Sequence, residues 1–305
     1  MEILITGGAG YIGSTLIPLL LRDNHKVTVL DNLLHGPDPI LPFFRYQNFK
    51  FIRGDVRDFK TVQSAMAGKD GVVHLAAIVG MPACKDQPID ARMVNVEGSY
   101  NIRQAAYGQR IVYASTVSAY GKFEGGSCAE TEPLKPISLY GETKAEAEEI
   151  LMSYPGTTAL RLATLFGISP RMRLDLLVND FTYQAVHNKN LIVYQADFVR
   201  SVLHVSDAAR AIIMSLLETD MAGETYNVVG CNPKKREICE VIKKETGAYF
   251  HFAETGYDVD QRSAAVNGDK LYEQGCHPYC TLDSGVHEMA RAFSALKVPN
   301  PYANA

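Results

Sequence analysis

Tyr140 and Lys144 stand four residues apart in the run Tyr140-Gly141-Glu142-Thr143-Lys144. On a helix, positions four apart share a face. An unperturbed phenol ionises at about pH 10, too high for a base at neutral pH. A neighbouring ammonium favours the phenolate. Such a pair can take a proton from an alcohol while a hydride leaves the same carbon. Spacing alone is weak ground, because Tyr46 and Lys50 repeat it in a chain with 16 tyrosines. That second pair lies in a strand-like region without a partner. Tyr140 follows Pro136 and Ser138, a plausible helix start, and it lies downstream of the polar strand end Tyr113-Ala114-Ser115-Thr116. Ligands of open parallel sheets bind at the carboxyl ends of strands. The hydroxyl of Thr116 is thus placed to share a substrate oxygen with Tyr140.

A departing hydride needs an acceptor, and the amino terminus offers a place for one. Glu2-Ile3-Leu4-Ile5-Thr6-Gly7-Gly8-Ala9-Gly10-Tyr11-Ile12-Gly13 carries an apolar strand into a glycine cluster, and Leu16, Leu19, Leu20 and Leu21 continue as a helical pattern. Gly8, Gly10 and Gly13 fit the G-x-G-x-x-G spacing, and Gly7, Gly10 and Gly13 fit the wider spacing of short-chain dehydrogenases. Residues without side chains let backbone N–H groups and a helix N-terminus approach a pyrophosphate. Gly7, Gly10, Tyr11, Ile12 and Gly13 are therefore candidate cofactor-binding positions. The next strand, Lys26-Val27-Thr28-Val29-Leu30, ends at Asp31 and Asn32, about 20 residues past the glycines, where a carboxylate binds ribose hydroxyls. A carboxylate there repels a 2′-phosphate, so the expected cofactor is NAD rather than NADP.

These residues need a scaffold that brings strand ends together. Strand-like runs at 3–6, 27–31, 49–53, 71–76, 111–115 and 158–163 alternate with helical patterns, among them 90–107 and 140–152. Continuously apolar strands predict a parallel sheet covered on both faces. Alternation on this scale predicts a doubly wound α/β domain. After about residue 165 the rhythm changes. Helices are expected at 176–188, 204–219, 235–246 and 283–296, with strands at 191–194 and 226–229. The expected division is a dinucleotide-binding domain over 1–165 and a smaller substrate-covering α/β domain over 166–305, partly interleaved with the first.

Composition narrows the classes of function. The 305 residues are 47% hydrophobic and 21% charged, an ordinary globular balance, with a net charge of −4. No basic block runs along a helical pattern, which disfavours nucleic-acid binding. No apolar run is long enough to cross a bilayer, and the first residues already form a core strand rather than a secretory leader. The six cysteines are scattered. Cys276 and Cys280 lack a second ligand pair, so no metal site is expected. The reading is a reduced cytoplasmic protein.

Taken in order, Thr6–Gly13, Asp31-Asn32-Leu33, Gly54-Asp55-Val56, His74-Leu75-Ala76-Ala77, Tyr113–Gly121, Tyr140–Lys144 and Arg200–Asp207 resemble the extended short-chain dehydrogenase/reductases, the NAD-dependent epimerase/dehydratase family. The resemblance covers essentially the whole chain. It implies a Rossmann-type doubly wound parallel sheet with a smaller C-terminal α/β substrate-binding domain. It also implies Tyr140 as base, Lys144 as its partner and Thr116 as the catalytic hydroxyl, with Tyr140, Lys144 and Ser115 also beside the cofactor. Asp55 and Val56 would hold the adenine, and Leu75, Ala76 and Ala77 would line the pyrophosphate and ribose. The implied substrate is a nucleotide-diphosphate sugar, usually oxidised at C4. A homodimer through the helices at 90–107 and 140–152 is implied as well.

Departures from the family narrow the chemistry. Its 4,6-dehydratases carry Asp-Glu after the catalytic Thr, its decarboxylases keep a Glu there, and its 3,5-epimerases place a Cys just before the Tyr-Gly region. This chain has Val117, Ser118 and Ala119. C4 oxidation remains, followed by re-reduction on the other face or by release of the ketone. Residues 161–181 and 79–85, with the Pro/Asn-rich tail, look similar to a branch that includes GDP-heptose 4-dehydrogenases. Candidate substrate contacts are Thr116, Thr164, Arg171, Arg173, Asn179, Arg200 and Arg262. Guanidinium groups suit bidentate phosphate recognition. His74 and His204 read as packed histidines, and Glu146, Glu148 and Glu149 as a solvated helix face. The competing function is an NAD-binding redox sensor without turnover. It would need the glycine loop and Asp31 but not Thr116, Tyr140 and Lys144 together.

Overall fold

The computed structural model describes residues 1–122, 126–256 and 263–297. Seven strands form one sheet in the spatial order Thr225–Val228, Thr157–Leu162, Arg110–Thr116, Gly71–His74, Glu2–Thr6, Lys26–Asp31, Phe49–Arg53. Every pairing is parallel. Chain order reverses between Glu2–Thr6 and Gly71–His74. In a doubly wound sheet that switch point opens a crevice at the carboxyl ends of the strands.

Alternation within each strand explains the two covered faces. Ile3 and Ile5 join the cluster formed by Leu16, Ile17 and Leu20 of helix Tyr11–Arg22 with Ala208 and Ile212 of helix Val205–Leu217. Leu4 faces the other side, with Val62 of helix Phe59–Met66, Ile102 of helix Gly98–Ala105 and Leu151 of helix Leu139–Met152. Successive strand side chains point to opposite faces, so uninterrupted apolar strands require helices on both.

The second half builds its own smaller core. Helices Leu177–Asn188, Lys235–Thr246 and Leu282–Ala295 surround the parallel pair Asn190–Tyr194 and Tyr249–Ala253. In the last helix, Val286, Met289 and Phe293 are fully buried at helical spacing. Such side chains each contribute about 1.5–3 kcal/mol on burial. The chain also returns to the main sheet, since helix Val205–Leu217 and strand Thr225–Val228 both come from beyond residue 200. A cut at residue 165 would therefore divide the sheet, separating strand Thr225–Val228 from the six strands that precede it in the chain.

Two departures from the expected elements bear on the site. The fourth strand ends at His74, because Leu75 N donates to Thr6 O at 3.1 Å and Ala76 N to Thr6 Oγ1 at 3.3 Å, folding the chain over the glycine loop. The expected helix over 90–107 is two helices, Pro88–Arg92 and Gly98–Ala105, joined by a π-helical turn at Met93–Glu97. Such turns often mark functional positions. No described helix is long and apolar enough to cross a membrane.

Candidate active site

The crevice at the switch point is a cleft of about 240 Å³ lined by Gly7, Gly10, Asp31, Asp55, Ala76 and Val79, among others. Its floor must be glycine. Gly7 has φ +70°, and a Cβ there would lie 2.6 Å from Ala76 N. A Cβ on Gly13 would lie 2.6 Å from Gly8 Cα and O. Helix Tyr11–Arg22 begins at Gly10 with no side-chain cap and no acidic residue in its first turn. Its leading N–H groups are thus available to an anion, and the helix dipole favours one. Asp31 lies at the cleft, where its carboxylate accepts from Ala9 N at 2.9 Å and Leu33 N at 2.8 Å. Burial raises its pKa, and those two N–H groups oppose the rise. Asn32 donates to Asp55 at 3.2 Å. Arg57 pairs with Asp55 at 2.9 Å and holds its pKa down. Asp55, Val56, Leu75, Ala76, Ala77 and Ile12 all line this cleft. The uncapped helix, the glycine floor and a carboxylate at the second strand end fit a dinucleotide without a 2′-phosphate.

Beside the cleft lie Thr116 and the helix that carries Tyr140 and Lys144. Thr116 ends its strand, and its Oγ1 accepts from Ser118 N at 3.1 Å. The hydroxyl proton stays available to a substrate oxygen. Helix Leu139–Met152 is capped by Ser138, whose Oγ accepts from Gly141 N at 3.2 Å. That cap places Tyr140 in the first turn and Lys144 one turn later. Asn95, in the π-helical turn, locks this helix to the cleft. It receives Ile78 N at 2.8 Å, and it donates to Ile78 O and to Thr143 Oγ1 at 3.0 Å each. Sequence reasoning missed Asn95. The available signal was an amide on the apolar face of a helical pattern.

Lys144 is buried, with Nζ 4.1 Å from the centroid of the Tyr113 ring. Burial pushes its pKa down to about 7, with Glu148 the main opposing charge. An unfolded lysine titrates at about 10.4. Between those values the folded chain binds fewer protons than the unfolded one, so this group makes stability rise with pH across that window. Lys144→Met should therefore melt a few degrees above the parent at pH 7, and the gap should shrink as pH rises toward 10. Scanning calorimetry at several pH values checks this. A gap that grew with pH would refute the buried-cation assignment.

A polar network missed by sequence reasoning supports the strand end. Glu148 is buried, not on a solvated face. It receives Arg161 Nε at 3.0 Å and Nη2 at 2.6 Å, and also the Ser115 hydroxyl. Arg161 Nη1 donates to Tyr120 Oη at 2.8 Å, which donates to Asn227 Oδ1 at 2.7 Å. The Ser115 hydroxyl is thus committed to Glu148, which leaves its backbone rather than its side chain for a cofactor. His74 is packed as expected, between Thr6 Oγ1 at 2.7 Å and Ser99 Oγ at 3.0 Å. Burial pushes its pKa to about 3, so it is neutral. Ser99 Oγ donates to Asn95 O, which leaves Nε2 as the donor and Nδ1 as the acceptor. His204 is buried, with Nε2 3.2 Å from Glu288.

A smaller recess lies off the same strand end, lined by Val117, Tyr120, Thr164, Arg200 and Ser201, among others. Thr164 and Arg200 both line it. Arg171 and Arg173 line the larger cleft beside the glycine loop instead. The expected place of Asn179 among substrate contacts is corrected. It is fully buried, receives Gly167 N at 3.0 Å, and donates to Tyr11 Oη at 3.2 Å and Arg173 O at 2.8 Å. Its amide is engaged inside the fold. Tyr11 likewise directs its hydroxyl to Gly167 O at 2.6 Å, leaving its backbone rather than its phenol for a cofactor. Arg262 lies outside the described residues, as does the tail from 298 onward.

Fold and cleft together define a dinucleotide-binding α/β enzyme. The particular family follows from comparison: residues 3–229 match the NAD dependent epimerase/dehydratase family, and the chain belongs to it. The low-salt glycan biosynthesis protein Agl12 of Haloferax volcanii is 30% identical over 300 residues, covering 94% of this chain and 96% of that protein. A dTDP-glucose 4,6-dehydratase of Streptomyces niveus is 31% identical over 266 residues, covering 81% of this chain and 78% of that one. The structure of a UDP-glucuronic acid 4-epimerase from Bacillus cereus, in complex with UDP-glucuronic acid and NAD, matches with a TM-score of 0.86 at 25% identity. That match covers 97% of this chain and 100% of the other. The cofactor is NAD.

Proposed function

We propose that this chain oxidises the C4 hydroxyl of a nucleotide-diphosphate sugar, either as the first half of 4-epimerisation or as a net 4-dehydrogenase. Bound NAD supplies the hydride acceptor. Tyr140 takes the hydroxyl proton through its phenolic oxygen, Lys144 supplies the adjacent positive charge that favours phenolate, and Thr116 donates its free proton to the same substrate oxygen. Arg200, in the recess beside Thr116, suits a substrate phosphate. Relatives named as acting on UDP- and dTDP-sugars support the substrate class.

The observation that carries the restriction to one carbon is the recess wall. No carboxylate is among its described lining residues. Val117 lines it, and Ser118 is buried. Eliminating water from a neighbouring carbon needs a base and an acid at that wall. Val117 and Ser118, standing where the family's 4,6-dehydratases carry Asp-Glu, favour simple redox at C4 over dehydration. We also infer a homodimer through the helices around 88–105 and 139–152, where Ile89, Met93 and Tyr100 are exposed. Light scattering on the eluting protein would show twice the chain mass.

The decisive assay incubates the protein with UDP-, GDP-, CDP- and dTDP-sugars, including a GDP-heptose, and follows NADH absorbance while NMR resolves products. A C4-inverted sugar without net NADH is the epimerase outcome. A 4-keto sugar with stoichiometric NADH, turning over only with an added keto acid, is the dehydrogenase outcome. Tight NAD binding with no redox change for any sugar would overturn the proposal in favour of a sensor.

A further inference from the structure

Among the described residues, the second lobe reaches the cofactor cleft through segment 167–173. That segment is strapped to the first turn of helix Tyr11–Arg22. Tyr11 Oη donates to Gly167 O at 2.6 Å, and Ser169 Oγ donates to Tyr11 O at 2.7 Å. The Ser14 and Ser169 hydroxyls are 3.0 Å apart, and Arg171 N donates to Ser14 Oγ at 3.3 Å. Asn179 fastens the strap from within by holding Gly167 N, Tyr11 Oη and Arg173 O. Two guanidinium side chains are thereby carried into the wall that also contains Gly7, Gly10 and Gly13.

Both arginines line the cleft. Arg173 is paired with Asp175 through two N–H···O bonds, one of them 3.0 Å, and lies 3.7 Å from where a Cβ on Gly80 would be. Its charge is answered by a carboxylate. Arg171 is half-buried at the uncapped helix start, and its pKa is held down by burial and then by repulsion from Arg173. His35, a third group lining this corner, is kept neutral, its pKa pushed to about 4 by burial and by both arginines. The corner thus combines a helix N-terminus, a cation from the other lobe and no acid in the helix's first turn. The Arg171 guanidinium, whose Nη1 donates to Met172 O at 2.5 Å, stands beside the leading backbone N–H groups of the helix, a combination that suits a diphosphate.

We propose that Arg171 is a second-lobe contact to the diphosphate of NAD, so that the cofactor itself bridges the two lobes. This rests on the reading of the cleft as the dinucleotide site. It has a consequence for turnover. Release of the cofactor would then have to break a contact on each lobe, which favours retention and hydride return within one active site.

The test measures binding rather than activity. NADH and ADP-ribose, and separately UDP and GDP, are titrated into the unmodified chain, R171M and R171K, after each variant's melting temperature shows that it is folded. R171M should bind NADH and ADP-ribose about 10- to 100-fold more weakly, with faster NADH release and UDP and GDP affinity within about twofold. R171K should recover part of the loss, since charge is kept without the fork, and it carries the comparison should R171M not fold. Unchanged NADH and ADP-ribose affinity in both variants would overturn the contact while leaving the cleft intact. Weakened UDP or GDP with ADP-ribose unaffected would also overturn it and return Arg171 to the substrate. Failure of the unmodified chain to bind NADH or ADP-ribose would overturn the cleft reading itself.

Discussion

Replacing Tyr140 with Phe should lower kcat by about 10²- to 10⁴-fold, the usual contribution of a positioned general base, while NADH affinity stays within about twofold. The split follows from where the contacts lie. The Ser138 cap and the Asn95–Thr143 bond set the helix carrying Tyr140, and neither involves the phenolic hydroxyl. On the proposed mechanism, Phe keeps the ring and removes only the atom that moves the proton. The cleft read as the dinucleotide site is lined by other elements: the glycine floor, Asp31, Asp55 and the Leu75–Ala77 turn. Single-turnover absorbance at 340 nm, alongside an NADH titration, separates the two effects. If turnover survived at a tenth of the parent rate or more, the base would have to be sought elsewhere. Equal loss of NADH binding would make Tyr140 a cofactor contact first.

The scaffold was largely legible because its signals are local. Two-faced apolar strands, a strand running into glycines and a Ser cap before Leu139 are each readable within a dozen residues. Tyr140, Lys144, Thr116 and Asp31 were visible for the same reason: their positions relative to strand ends and helix starts follow from spacing. What was not legible depends on contacts between distant segments. Glu148 looked solvated because its partner, Arg161, stands on the following strand. The place of Arg171 and Arg173 in the wall of the larger cleft was hidden because nothing local reveals that segment 167–173 is tied to the first helix. Asn95 was hidden inside a helical pattern whose π-helical turn only the structure reveals. The pair Asn190–Tyr194 and Tyr249–Ala253 shows the same limit, since its strands are far apart in sequence.

The buried pair Glu148–Arg161 carries the largest expected effect on folding. Arg161→Met should destabilise the chain by about 3–5 kcal/mol, the range for removing one member of a buried ion pair. The side chains of Arg161 and Glu148 are 9% and 6% exposed. Without the guanidinium, Glu148 is left with the Ser115 hydroxyl as its hydrogen-bond donor, and its carboxylate is held away from water. Tyr120 and the Glu130 carbonyl lose a donor at the same time. Met fills much of the lost volume, so the penalty is electrostatic rather than a cavity. The double variant Glu148→Gln with Arg161→Met removes the stranded charge as well. It should be less destabilised than Arg161→Met alone, because keeping an unpaired ion out of water costs more than any other consequence of the substitution. Denaturant melts of the parent, both single variants and the double variant give the coupling directly. Additive losses would mean that the two groups do not act as a pair. Ser115 precedes Thr116, and Lys144 lies one turn before Glu148 on the same helix. Weakening this pair should therefore also lower kcat in the double variant even where it remains folded, with little change in NADH affinity.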